Sequence, residues 1–107
     1  MYLPAPDESL WIGTLRVVIR IAGSRSLKDR RKVVWGLRDR WIARHRVAVA
    51  EVGHLENHEL AVIAASVVGN DPRLLRARLD LLRAEADALP EASLIDHQSE
   101  IRAFSGG

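Results

Sequence analysis

Residues 59–69, with the sequence ELAVIAASVVG, form the most apolar stretch of the chain, and their pattern decides the fold. At the two-residue period of a β-strand, apolar residues fall on both sides of this stretch. One side carries Leu60, Val62 and Ala64, and the other carries Ala61, Ile63, Ala65 and Val67. A strand without a polar side is typical of a sheet that is covered on both faces. The stretch therefore predicts a central strand over Glu59–Gly69.

The segments on either side predict a second strand and a helix. Residues 47–53 are rich in Val and Ala, and the polar segment 54–58, with Asn57 as a turn residue, indicates a hairpin between the two strands. After the central strand, Asp71 is a suitable N-cap residue and Pro72 suits the first helical position. This helix ends before Leu89-Pro90. Its apolar residues at helical spacing are Leu75, Leu79, Leu82 and Ala86.

The N-terminal half predicts one strand and one helix. Trp11–Ala22 alternates in polarity, which is typical of a half-buried strand. Its two sides are Trp11, Leu15, Val17, Ile19 and Ile21, and Thr14, Arg16, Val18 and Arg20. Ser26 followed by Asp29 resembles a capping box, which starts a helix from Leu27 to about Arg44. The stripe of this helix that is expected to face the sheet is Leu27, Val34, Leu37 and Trp41.

With a more polar fourth strand over residues 92–104, the elements follow the order β-α-β-β-α-β. This order predicts a ferredoxin-like α+β fold, in which right-handed crossovers place both helices on one face of a four-stranded antiparallel sheet. We expect a flexible leader over residues 1–10, one domain over residues 11–104 and a tail over residues 105–107. Since the second face of the central strand is also apolar, we expect a second copy of the chain to cover it, giving a homodimer.

The composition excludes several classes of protein. The chain has 107 residues, long enough for one domain with a core, and no Cys, so disulfides, zinc–thiolate clusters and thiol nucleophiles are excluded. No apolar stretch is long enough to cross a membrane, and the N-terminus lacks the basic region of a secretory signal. We therefore expect a cytoplasmic protein without a membrane partner.

Positive charge is concentrated in one part of the chain. Residues 16–46 contain 11 Lys or Arg against two acids, and the remainder contains five against 12, which gives the overall net charge of +2. This asymmetry indicates either an ordinary solvated helix face or a surface that attracts an anionic partner. The candidate binding residues for RNA or another partner are Arg25, Lys28, Arg31, Lys32, Trp35 and Arg38. Arginine binds phosphate and an indole stacks on a base.

Other candidate chemistry is sparse. His54, Glu56 and His58 would offer a metal-ligand set on an extended strand, but they fall in the predicted turn, so we expect surface histidines, no metal site and no cofactor. Glu51 interrupts an apolar strand and is a candidate general acid or base, with Glu59 as its partner. The favoured interpretation is that Glu51 forms an ion pair across the sheet with Arg16 or Arg20. No catalytic motif is found, and the Gly23–Ser26 loop is expected to cap a helix rather than to bind phosphate.

Several short motifs together resemble the YlxP family of small bacterial proteins. They are Ser26-Leu27-Lys28, Val49-Ala50-Glu51-Val52-Gly53, Val67-Val68 and Asn70-Asp71. The resemblance spans about residues 11–102 and implies a ferredoxin-like fold, no known enzymatic activity and a domain of unknown function. Genes of that family often lie near genes for ribosome maturation and translation initiation, which implies work on RNA or the ribosome.

The sequence thus favours a binding protein without a catalytic site, directed to RNA or a ribosomal surface through its basic first helix. Two alternatives stay open. One is a ferredoxin-like dimer that binds a small regulatory ligand at its interface. The other is an enzyme that uses Glu51 and the hairpin histidines, for which the residues suggest no reaction.

Overall fold

The elements of the chain follow the predicted order in the computed structural model, which describes residues 1–105. They are β1 (Trp11–Arg20), α1 (Leu27–His45), β2 (Ala48–Gly53), β3 (Leu60–Gly69), α2 (Pro72–Asp87) and β4 (Ser93–Ala103). Each boundary lies within two residues of its predicted position. The fold is the expected ferredoxin-like α+β arrangement. Residues 106 and 107 of the predicted tail lie outside the described residues.

The sheet has the strand order β2-β3-β1-β4, and all neighbouring strands are antiparallel. The longest uninterrupted pairing joins the two central strands, from Trp11 opposite Gly69 to Arg20 opposite Leu60. Both edge strands contain an irregularity: the register shifts after Glu51 in β2, and in β4 opposite Val18 and Ile19. The short strand β2 is therefore an edge, and α1 packs beside it.

The core lies between the helices and one face of the sheet. Its largest fully buried side chains are Trp41, Leu15, Ile19, Leu37, Ile63, Leu75, Leu79 and Leu82. Gly13 of β1 permits the close approach of α2, since a Cβ atom there would lie 3.1 Å from Val67 Cγ2 and 3.2 Å from Leu79 Cδ1. The two apolar stripes that the sequence predicts for the helices thus meet the same sheet face.

Both helices begin at the predicted caps. The Ser26 hydroxyl accepts a hydrogen bond from the Asp29 N–H, and the Asp71 carboxylate accepts one from the Arg73 N–H. These contacts satisfy backbone donors that a helix leaves unpaired at its start. At the other end of α1, Arg46 adopts a left-handed conformation (φ 52°) and its N–H bonds to the Ile42 carbonyl.

The buried stripe of α1 differs from the prediction at its first position. Leu27 is only half-buried, whereas Arg30 is 3% exposed and continues the stripe of Val34, Leu37 and Trp41. Leu27 lies in the first turn, beyond the part of the helix that contacts the sheet most closely. The stripe therefore contains a cation, which must find its partners inside the fold.

The second face of the sheet is uncovered in the single chain. Its β2–β3 side is apolar, with Val52 55% and Val68 62% exposed, and its β4 side is polar, with Arg16 paired to Asp96. No helix within residues 1–105 is long and apolar enough to cross a membrane.

Candidate nucleic-acid interface

The outer surface of α1 brings together the six candidate binding residues. We call this set the helix surface; it consists of Arg25, Lys28, Arg31, Lys32, Trp35 and Arg38. Five of the six are exposed, and Arg38 is intermediate, with 39% of its side chain exposed. Five of them stand on this side because the opposite stripe of α1 is held in the core, and Arg25 lies in the loop just before the helix.

The charges of the helix surface are mostly unneutralised. Arg38 pairs with its neighbour Asp39 at 3.0 Å. Within residues 1–105, the other four cations of the surface form no ion pair. By contrast, four basic residues of the segment 16–46 pair with acids from elsewhere in the chain: Arg16 with Asp96, Arg20 with Glu59, Arg30 with Glu51 and Arg44 with Glu85. The unpaired cations of the helix surface lie in the first half of α1 and in the loop before it, and two further arginines without an ion pair among the described residues, Arg40 and Arg46, lie near its C-terminal end.

Trp35 occupies the centre of the helix surface. Its side chain is 45% exposed, and the guanidinium carbons of Arg31 and Arg38 lie 5.9 Å and 5.1 Å from the ring centroid. Both distances fall within the range of cation–π attraction. The three residues are spaced by four and three positions, which places them side by side on a helix. An aromatic ring between two cations is thus presented to solvent.

Arg30 lies beneath this surface and joins α1 to the β2–β3 hairpin. Its guanidinium donates to the carbonyls of Leu60 (3.0 Å) and His54 (3.1 Å), and its Nη2 lies 2.6 Å from Glu51 Oε1. The contact with Glu51 is an ion pair rather than an aligned hydrogen bond. These partners fix the height of α1 above the edge strand.

The favoured partner for Glu51 is therefore wrong. Arg16 and Arg20 point to the open face and pair with Asp96 (2.7 Å) and Glu59 (3.6 Å), whereas Glu51 lies on the helix side of the sheet. Glu59, the other candidate partner, pairs with Arg20. The carboxylate of Glu51 instead neutralises the one cation in the core stripe of α1.

A small cavity opens between Trp35 and the edge of β2. Its volume is about 140 Å³. The residues that line it are Val34, Trp35, Arg38, Val49, Ala50, Glu51 and Ile63. The space is well below the usual size of a pocket for a drug-sized ligand. It adds to the helix surface a recess that has an aromatic ring, a guanidinium and a carboxylate around it.

The loop before α1 is occupied by its own capping contacts. Gly23 adopts a left-handed conformation (φ 81°), and the buried Ser24 hydroxyl donates to the Ser26 carbonyl (3.1 Å). The Asp29 carboxylate accepts the Arg25 N–H at 3.1 Å, at the place where an anion would be expected. The loop therefore orients Arg25 and caps the helix, as the sequence predicts.

The hairpin histidines make separate contacts. His58 Nδ1 lies 3.0 Å from the Ser24 carbonyl oxygen, and His54, in a left-handed conformation (φ 55°), offers its carbonyl to Arg30. Asn57 closes the turn by accepting from the N–H groups of Glu59 and Leu60. Within residues 1–105, no three His, Asp or Glu side chains gather in a way that could hold a metal ion.

Sequence reasoning missed Arg30 as a structural residue, although a signal was present. Arg30, Val34, Leu37 and Trp41 follow the spacing i, i+4, i+7 and i+11, so helical periodicity alone assigns Arg30 to the buried stripe. An arginine on an apolar stripe beside a strand glutamate indicates a buried ion pair.

Comparison with known proteins finds a family and assigns no activity. The sequence model of a family described as "Protein of unknown function (DUF503)" matches residues 12–99. No curated protein matches the chain. Among solved structures, the "De novo designed protein Foldit4" is similar to this chain with a TM-score of 0.49 and 12% sequence identity, over 92% of this chain and 99% of the designed one.

Proposed function

The chain belongs to the DUF503 family, and on that premise we propose that it is a non-enzymatic RNA-binding protein that acts on ribosomal RNA through its helix surface. The observation that supports this best is the run of four unpaired cations, Arg25, Lys28, Arg31 and Lys32, that leads up to Trp35, an exposed indole near the guanidinium groups of Arg31 and Arg38. Unpaired cations attract phosphates at low cost, and an exposed ring between them offers a stacking surface. Base stacking on the β-sheet itself is not expected, because β3 contains no aromatic residue and β1 contains only Trp11, at its start.

Within the DUF503 family, we place the chain among the YlxP-like bacterial proteins. The motifs that support this lie where the helix surface and its support are built: Ser26-Leu27-Lys28 starts α1, and Glu51 is the partner of Arg30. With this placement we propose a cytoplasmic protein that meets the ribosome or its RNA.

Filter binding to ribosomal RNA at two salt concentrations tests the proposal. We expect binding that is at least micromolar at low salt and that weakens as salt rises, because each phosphate contact releases counterions. Affinity no tighter than millimolar at low salt, or affinity without salt dependence, would rule the function out. The control is Arg73→Gln, which removes one exposed cation from α2, outside the helix surface, and is expected to bind ribosomal RNA as wild type does.

We also propose that the protein is a homodimer whose copies meet through the open sheet face. The exposed apolar residues along the β2–β3 side support this, with Val52 and Val68 at its two ends and Ala50 between them, since large exposed apolar patches are uncommon on monomers. Size-exclusion chromatography with light scattering measures the mass, and Val68→Asp is expected to shift a dimer to monomer. A monomer at micromolar concentration would contradict the proposal.

A second candidate function is the binding of a small regulatory ligand on the same open face. Two adjoining depressions of about 300 Å³ and about 610 Å³ share Thr14, Glu100 and Arg102. In a dimer formed through this face they would lie at the interface, where small-ligand sites are common. A metabolite screen by thermal shift distinguishes this function: it predicts stabilisation by one metabolite and indifference to RNA.

A further inference from the structure

The cavity beside Trp35 has the walls of a site for a planar, partly polar ring. The indole of Trp35 and the guanidinium of Arg38 border it on the α1 side, and Val49 and Ala50 border it on the β2 side. Arg38 pairs with Asp39 (3.0 Å) and its guanidinium lies over the Trp35 ring, and these two contacts orient it at the rim of the cavity. Nucleic-acid bases stack on both aromatic rings and guanidinium planes.

The polar group of the cavity is Glu51. Its side chain is 23% exposed, and the ion pair with Arg30 beneath it offsets its charge, which lowers its repulsion of a nearby phosphate. A carboxylate accepts hydrogen bonds and donates none. It therefore favours a ring that presents N–H groups and disfavours one that presents carbonyl oxygens.

From these contacts we infer that the cavity binds one guanine base of a single-stranded RNA, with Glu51 Oε2 accepting a hydrogen bond from its Watson–Crick edge, since Oε1 is buried against Arg30. Guanine presents an N–H and an amino group side by side on that edge, and either of them can donate to this oxygen. Uracil presents two carbonyl oxygens around its single N–H, which a carboxylate repels. The inference rests on the proposed function and adds the class of RNA and the base that it selects.

The position of the cavity explains why the bound RNA must be single-stranded. A base reaches the recess between α1 and the edge of β2 only when it is turned out of a stack, and bases in loops and single strands are free to do so. Arg31, Lys32 and Lys28 lie on the same helix, where they meet the flanking phosphates. Phosphate contacts then supply most of the affinity and the cavity supplies the choice of base.

Fluorescence anisotropy with two labelled RNA nonamers, U9 and U4GU4, tests the inference. We expect wild-type protein to bind U4GU4 at least about fivefold more tightly than U9, the difference that about one net hydrogen bond makes when uracil replaces guanine. Trp35→Ala is expected to abolish this preference while the salt-dependent binding of U9 persists. Glu51→Gln is expected to reduce the preference, because the amide also donates a hydrogen bond and so accepts uracil.

Two further variants keep the test decisive. Val49→Leu narrows the cavity without changing any charge and is expected to remove the preference even if Glu51→Gln fails to fold. Leu81→Ala, at an exposed site on α2, is the matched control and is expected to behave as wild type. Folding of each variant is checked by circular dichroism.

Each outcome has a distinct meaning. Equal, salt-dependent binding of both RNAs by wild-type protein would overturn the guanine site and leave the proposed function in place. Binding of neither RNA at low salt would overturn both. If free guanosine monophosphate competes at the same concentration as U4GU4, the cavity recognises a free nucleotide, and the assignment to RNA is overturned.

Discussion

Arg30 Nη2 lies 2.6 Å from Glu51 Oε1, and this ion pair connects α1 to the edge strand β2 beneath Trp35. Arg30 also donates to two hairpin carbonyls, so one side chain of α1 holds β2 and the start of β3 together. The helix surface is therefore held in position by the polar contacts of Arg30 as well as by apolar packing.

Arg30→Met is expected to destabilise the protein by about 3 kcal/mol, because it leaves the Glu51 carboxylate and two carbonyls without their partner. Urea denaturation followed by circular dichroism measures the change in the free energy of unfolding. Arg20→Met, which breaks the exposed pair with Glu59, is the control and is expected to cost at most about 1 kcal/mol. Equal effects of the two substitutions would show that the buried Arg30 pair contributes no more to the free energy of unfolding than the exposed Arg20 pair.

Gly36→Ala is expected to stabilise the protein by about 1 kcal/mol. Gly36 lies in the interior of α1, and a Cβ atom there would meet nothing within 4 Å. Alanine restricts the unfolded chain more than glycine and has the higher helix propensity. Thermal unfolding at a fixed pH measures the effect.

Gly13→Ala provides the opposite case and the control for that measurement. Its Cβ atom would lie 3.1 Å from Val67 and 3.2 Å from Leu79, both of them in the core. We expect a loss of about 1–3 kcal/mol from overpacking. If Gly13→Ala were neutral, the close approach of α2 to β1 would not be tight in solution.

The elements were predictable because each leaves a local signal. The alternation of Trp11–Arg20 and the caps at Ser26 and Asp71 depend on residues within a few positions of one another. Local signals of this kind decide the element order, and the order then restricts the topology. For the same reason the exposed spacing of Arg31, Trp35 and Arg38 could be read directly from the sequence.

The pairing of charges could not be predicted in this way. Arg30 reaches Glu51, 21 positions away, and Arg16 reaches Asp96, 80 positions away. Which acid meets which arginine depends on strand order and on the height of a helix above the sheet. Glu51 was therefore assigned the wrong partner, although its strand was correct. The cavity beside Trp35 has no sequence signal, because it arises where two elements meet.

Asp71 makes the stability of α2 depend on pH. The Arg73 N–H that bonds to the Asp71 carboxylate holds its pKa below the usual value of 3.8. A group whose pKa is lower in the folded state stabilises the fold above its unfolded-state pKa and loses that contribution as the pH falls through the folded-state value. Asp71→Asn keeps a capping oxygen but does not titrate.

Thermal unfolding between about pH 5 and about pH 2 measures this dependence. We expect Asp71→Asn to unfold at nearly the wild-type temperature at neutral pH and to lose less stability than wild type over the acidic range. Asp80→Asn, at an exposed site of the same helix, is the control for a general change of charge. Parallel curves for wild type and Asp71→Asn would contradict the role of the cap.

The double substitution Lys28→Gln and Lys32→Gln tests the helix surface as a phosphate site. Each phosphate contact to a single strand adds about 0.7 to the slope of log affinity against log salt concentration, so losing two contacts is expected to reduce the slope by about 1.4. Filter binding of ribosomal RNA across a salt series measures it. Neither lysine touches the core, and the fold is expected to be unchanged.

Arg73→Gln with Arg83→Gln removes the same charge from α2 and separates a defined surface from a general effect of net charge. If RNA binds at the helix surface, the α2 variant is expected to keep the wild-type slope, because the substituted arginines are not among the residues proposed to contact phosphates. If both double variants reduce the slope of log affinity against log salt concentration equally, binding depends on net charge alone. The cavity beside Trp35 could then not select a guanine base, because that selection requires the RNA phosphates to be bound at the neighbouring helix surface.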